Sequence, residues 1–119
     1  LVLIEVSVPR KPRPVSELAF DRDPADAARR REGRPHFLTL DARNRRAAVS
    51  NYTIDVPALR LDGDRRVYLL ELDPKTGRLA FDRRFRDEVT GEVGLDFNRE
   101  SWPHGRTGAA RPHALLFVP

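Results

Sequence analysis

The stretch His36-Phe37-Leu38-Thr39-Leu40, Asp41-Ala42-Arg43-Asn44-Arg45, Arg46-Ala47-Ala48-Val49-Ser50-Asn51 decides the fold. An apolar run is followed by a tight polar turn and then by a second short apolar run. That pattern reads as two antiparallel strands joined by a hairpin turn. Residues 52–64 read as a longer connection containing Pro57 and Gly63. Arg66-Val67-Tyr68-Leu69-Leu70-Glu71-Leu72 reads as a third strand. Asp73-Pro74-Lys75-Thr76-Gly77 has Pro and Gly placed to reverse the chain. Arg78-Leu79-Ala80-Phe81-Asp82 then forms a fourth strand, with Phe85 within its reach.

On the N-terminal side, Val2, Ile4, Val6 and Val8 alternate along residues 1–8, a period-2, β-branched strand signal. Pro9, Pro12 and Pro14 end it, because proline supplies no ladder donor. Residues 15–20 are a second short strand candidate. Residues 23–33 carry the best helix signal: Asp23 as cap, Pro24 at the first helical position, Arg29 to Arg31 near the C-terminal end and Gly33 to close. They lack an apolar stripe, so a short exposed helix or a loop with helical turns is expected. On the C-terminal side, residues 86–110 read as a long irregular loop rich in Gly and charge. Residues 111–118 read as a further strand.

Arg34-Pro35-His36 returns as Arg111-Pro112-His113, offset by 77 residues, and each opens an apolar strand after a long connection. A second echo links Leu3-Ile4-Glu5-Val6 with Leu69-Leu70-Glu71-Leu72. Four-strand meanders repeated around an axis are propeller blades. The expected fold is therefore all-β, with antiparallel four-stranded meander blades of a partial β-propeller. Residues 1–20 would be the outer strands of one blade, 34–85 one full blade, 86–110 a long loop and 111–119 the inner strand of the next. A plain antiparallel sheet with an accidental Pro-His pair is the alternative.

The segment His36–Asp82 resembles a YVTN-type blade. More specific are Ser50-Asn51-Tyr52, Asp62-Gly63-Asp64-Arg65-Arg66-Val67, Asp82-Arg83-Arg84-Phe85, Leu95-Asp96-Phe97 and Ala110-Arg111-Pro112-His113. Together these resemble the C-terminal blades of the selenium-binding protein family, which includes methanethiol oxidases. Ile4-Glu5-Val6-Ser7-Val8-Pro9-Arg10-Lys11-Pro12 resembles that family's strand ending in Asp-Pro-x-x-Pro, with Val8 where Asp is usual. The resemblance implies a seven- or eight-bladed propeller, a His-bound metal with copper the associated ion, and oxidation of a small thiol in some members. The chain is too short to close such a ring and lacks the Cys associated with selenium binding.

Composition narrows the classes. The 119 residues hold 22 Lys+Arg, 18 Asp+Glu, no Cys and no Met. Absent Cys excludes disulfides, thiolate metal sites and a Cys nucleophile within the chain. The missing Met and the strand phase suggest a piece of a longer product. No apolar run nears the roughly 18–20 residues of a membrane span. No secretion signal opens the chain, which favours a cytoplasmic location. The +4 charge invites a nucleic-acid reading, but 20 of the basic residues are Arg scattered among acids, and no net-positive stripe results. Nucleic acid is not an expected partner.

In an antiparallel meander the long connections share one end, and loops on a rigid sheet commonly carry function. His36, His104 and His113 all fall at that end. They are the candidate metal ligands, since neutral imidazole suits copper, zinc or iron. The alternative is that each His shapes the blade junction by hydrogen bonding. Trp102, Tyr52 and Asp64 are candidate substrate-binding residues, although packing is the commoner use of a single Trp. Asp62 and Asp64 flank Gly63 without the other ligands of a calcium loop. Ser50 lacks the context of an activated nucleophile. Nothing indicates a nucleotide or flavin. The expected function is a metal-dependent oxidoreductase acting on a small-molecule thiol. The alternatives are a non-catalytic propeller scaffold for a protein partner and a lactonase-like propeller hydrolase. Partners expected on structural grounds are the rest of the propeller or self-association through exposed sheet edges.

Overall fold

A computed structural model describes residues 1–26, 33–55, 60–103, 105 and 108–118, with backbone alone for 53–55 and 60–63. The chain is all-β and antiparallel, and the described residues contain no helix. A two-stranded sheet joins β1 (Val2–Glu5) to β2 (Arg13–Glu17). A second sheet runs β3 (Pro35–Asp41), β4 (Arg46–Asp55), β5 (Arg60–Leu72) and β6 (Leu79–Phe81), with β7 (Leu95–Asp96) also on β5.

The two tight turns follow from local chemistry. At the β3–β4 turn the Asp41 carboxylate accepts the Asn44 N–H at 3.2 Å and its side-chain amide at 2.6 Å. At the β5–β6 turn Asp73 accepts the Lys75 N–H at 2.9 Å and the Thr76 hydroxyl at 2.7 Å. These are the Asx-type bonds that favour Asp at the start of a reversal.

Three sequence expectations are corrected. First, the connection over 52–64 is mostly strand. Thr53 pairs with Asp62, Ile54 with Leu61 and Asp55 with Arg60, so the β4–β5 hairpin extends well past Asn51. Only 56–59, outside the described residues, separate the strands; β-branched Thr53 and Ile54 favour the continued ladder. Second, the loop over 86–110 is not wholly irregular. β7 pairs with Arg66 and Val67 of β5, just beyond the stretch of β5 that pairs with β6. The fourth strand is thus built from two pieces, with residues 82–94 inserted between them. Third, residues 111–118 form no strand: none of the described residues pairs with them in a ladder. The expected helix over 23–33 lies largely outside the described residues. Asp23 accepts the N–H groups of Ala25 at 2.7 Å and Asp26 at 3.2 Å, an Asx-type turn and not a helix within the described residues.

Cross-strand register sorts the second sheet into two faces. Ala47 and Leu70, then Val49 and Tyr68, lie side by side and form the core with Phe20 and Val93. Phe20 meets Tyr68 and Phe81 edge-on, with ring centres 5.7 and 5.0 Å apart. Such pairs add about 1 kcal/mol each beyond burial, so Phe20 anchors the chain leaving β2 onto this face. The opposite face carries Ala48, Ser50 and Val67, all buried. Alternation along β1 is present, but Val2, Ile4, Val6 and Val8 point outward, 49–61% exposed. No helix among the described residues is long and apolar enough to cross a membrane.

Close approach requires glycine at positions 33 and 94. A Cβ on Gly33 would lie 2.6 Å from the backbone of Phe20 and Asp21. A Cβ on Gly94 would lie 2.8 Å from the Tyr68 ring, and its φ of +86° disfavours any side chain. Gly94→Ala is expected to destabilise the chain by roughly 1–3 kcal/mol. Urea denaturation would measure this, and an unchanged midpoint would contradict the packing described for Tyr68.

Candidate metal centre

The site begins at an interruption in the β3–β4 ladder. Pro35 has no N–H to donate. The register slips between Pro35 and Phe37, leaving His36 as the extra residue of a bulge. Two side chains from β4 take up the N–H groups on either side. Asn51 Oδ1 accepts the Arg34 N–H at 2.6 Å, and Ser50 Oγ accepts the Phe37 N–H at 3.2 Å. Both residues are fully buried. His36 is thereby turned out to solvent from a fixed backbone.

Ser50 also reaches the second histidine's segment. Its hydroxyl donates to the His113 carbonyl at 3.5 Å, a long contact across 63 residues of sequence. A hydroxyl both accepts and donates, so one side chain links His36's neighbour to His113. The exposed rings of His36 and His113 meet with centres 5.1 Å apart and planes tilted by 54°.

A buried polar web sits behind the bulge. Asn51 Nδ2 donates to Asp64 Oδ1 at 2.8 Å, and the Arg66 N–H reaches the same oxygen at 3.1 Å. The Tyr68 hydroxyl donates to Asp64 Oδ2. Asp64 therefore braces the irregular crossing between Asn51–Arg66 and Thr53–Asp62, where Arg65 adopts a φ of 56°. Tyr52, in the same crossing, is 4% exposed. Trp102 packs against Phe97 at 5.4 Å, donates its indole N–H to the Gly108 carbonyl at 3.0 Å and lies under the Arg99 guanidinium. His104 lies outside the described residues.

The path from β6 to His113 is held by two buried charges. Arg66, 5% exposed, donates to Glu92 Oε2 at 2.6 Å and Asp96 Oδ2 at 2.9 Å, and also to the Gly94 carbonyl at 3.3 Å. Asp87, 1% exposed, accepts the N–H groups of Val89, Thr90 and Asp96 and the Arg99 guanidinium at 2.6 Å. Sequence inspection missed Arg66 and Asp87 as supports and passed over Ser50 and Asn51 in that role. The available signal for the latter pair was two polar residues closing an otherwise apolar strand, Ala47-Ala48-Val49.

Two imidazoles on one tetrahedral ion, with metal–nitrogen distances of about 2.0 Å, place their ring centres about 5 Å apart. The His36–His113 separation fits this geometry, and neutral imidazole suits copper or zinc. Among the described residues, no group of three or more His, Asp or Glu is positioned around a common point. The pair therefore offers one edge of an open site.

Asp87 generates a pH prediction. Burial pushes its carboxyl up, but the N–H groups of Thr90, Asp96 and Val89, together with Arg99, hold it below its ordinary value of 3.8. A carboxyl with a lowered folded-state pKa stabilises the fold above that ordinary value; this contribution is lost as pH falls through the folded pKa. Asp87→Asn is expected to flatten the acid limb of the stability-versus-pH curve, read by thermal melts across the acid range. Asp87→Ala, which strands Arg99 and three N–H donors, is expected to cost about 3 kcal/mol or more by urea denaturation.

Comparison with protein-family models, with curated proteins and with solved structures gives no match to this chain.

Proposed function

We propose that this chain is a blade of a β-propeller of the selenium-binding protein kind, with parts of its two neighbours, and that it contributes His36 and His113 to a metal site on its loop end. The observation that carries this reading is the approach of the two rings to 5.1 Å from positions 77 residues apart. Three features of the architecture support the blade. The second sheet is a meander of four strand positions. The segment before it covers one face through Phe20, Leu1 and Leu18. The segment after it crosses at Ser50 on the other face. Val2 and Ile4 at one end and Leu116 and Val118 at the other are 49–81% exposed, as expected where further blades would lie.

A bound copper ion supplies one-electron redox chemistry and a soft acceptor for a thiolate sulfur. The chain's own part is positional. The bulge at Pro35 presents His36, the Ser50 hydroxyl ties the two histidine segments, and Arg66 and Asp87 fix the long loop that delivers His113. An oxidoreductase acting on a small thiol is the function that fits this donor set and the family resemblance together.

The test is metal binding by the chain and its variants. Cu²⁺ and Zn²⁺ titrations followed by calorimetry are expected to show one ion per chain. His36→Ala and His113→Ala should each weaken binding at least about tenfold, the scale of losing a ligand or its support. Both rings are exposed, so far-UV circular dichroism should stay unchanged. Undiminished metal binding by the double variant would sink the proposal.

A further inference from the structure

At the other end of the sheet, past the two tight turns, lies a cleft of about 1000 Å³ between β2 and the ends of β4, β5 and β6. Five arginines line it, among them Arg45, Arg46 and Arg78, against three acids, Glu17, Glu71 and Asp73. Two of the acids are already engaged. Glu71 pairs with Arg84, and Asp73 is bound up in its own turn.

The guanidinium groups of Arg45, Arg78 and Arg83 have no ion pair among the described residues, and the third acid, Glu17, has none either, which leaves two positive charges in excess (3 − 1). Arg46 lies 3.7 Å from Asp41, and its Nε is buried with no hydrogen-bond partner. Arg46 is thus only loosely matched, by one contact at 3.7 Å. Leu18, Leu72, Leu79 and Phe81 form an apolar part of the wall. Ser16 Oγ accepts the Leu79 N–H at 3.1 Å, which leaves its own proton free to donate.

We propose that this cleft binds a phosphate monoester with an apolar body. The two unmatched positive charges call for a dianion, and a phosphate monoester carries about −1.5 to −2 at neutral pH. Guanidinium groups recognise its oxygens bidentately. The apolar wall accounts for the organic part, and the volume suits a small organic ligand. A monocarboxylate would leave one charge unmatched; inorganic phosphate would leave the apolar wall wet.

Calorimetry with phenyl phosphate, inorganic phosphate and benzoate tests this on the whole chain at neutral pH. Phenyl phosphate is expected to saturate below about 1 mM, with the other two at least fivefold weaker. Arg78→Gln and Arg46→Gln should each weaken phenyl phosphate about tenfold, and more in combination. Arg10→Gln, on the exposed turn after β1 and outside the cleft, should leave it unchanged. No saturation by about 10 mM overturns the proposal. So does equal binding of inorganic phosphate or benzoate, or a folded double variant that binds as tightly as the parent chain.

Discussion

The burial of Arg66 governs the part of this chain that sequence patterning leaves open. A guanidinium removed from water must be surrounded by acceptors, or the fold pays several kcal/mol. Glu92, Asp96 and the carbonyls of Val93 and Gly94 supply them. All four lie in the segment after β6. Satisfying one side chain of β5 therefore draws that segment back along the same strand. The result is β7, which completes the fourth strand position where β6 stops. Gly94 must be a glycine in consequence, because the returning backbone passes against the Tyr68 ring.

From there the constraint passes to the candidate site. The Asp87–Arg99 pair ties the inserted segment to the chain after β7, and the Ala110 N–H donates to the Phe97 carbonyl at 2.8 Å. The chain is led back to the bulged end of the sheet. There Ser50 stands between the two histidine segments. Buried polar groups of this kind are demanding, since each must find its partner in a low-dielectric interior. Asn51, Asp64, Tyr68 and Arg66 meet that demand as one web, which makes the bulge at His36 a fixed feature and not a frayed strand end.

The two ends of the sheet then differ in kind. The loop end carries paired imidazoles on a rigid support. The turn end carries incompletely matched guanidinium groups beside an apolar wall. Arginines that looked like an even scatter along the chain, mixed with acids, are not evenly disposed in space. Folding spends Glu71 and Asp73 on local partners and leaves Arg45, Arg46 and Arg78 together.

The sequence by itself determined the strands whose signal is local. Alternating and β-branched runs placed the central strands, and Asp41 and Asp73 marked the reversals through bonds made within a few residues. The approach of His36 to His113 has one trace in the sequence, the Arg-Pro-His triplet that both share, although only the first triplet opens a strand. What only the tertiary structure decided depends on partners far away in sequence. Residues 52–64 carry Pro and Gly and read as a loop, yet 53–55 keep a ladder with 60–62, because the strands that lead into them are already in register. Leu95-Asp96 is too short to show any period, and becomes a strand only because buried Arg66 recruits it. Residues 111–118 have the pattern of a strand and form none, since a strand exists only where a neighbour completes its hydrogen bonds.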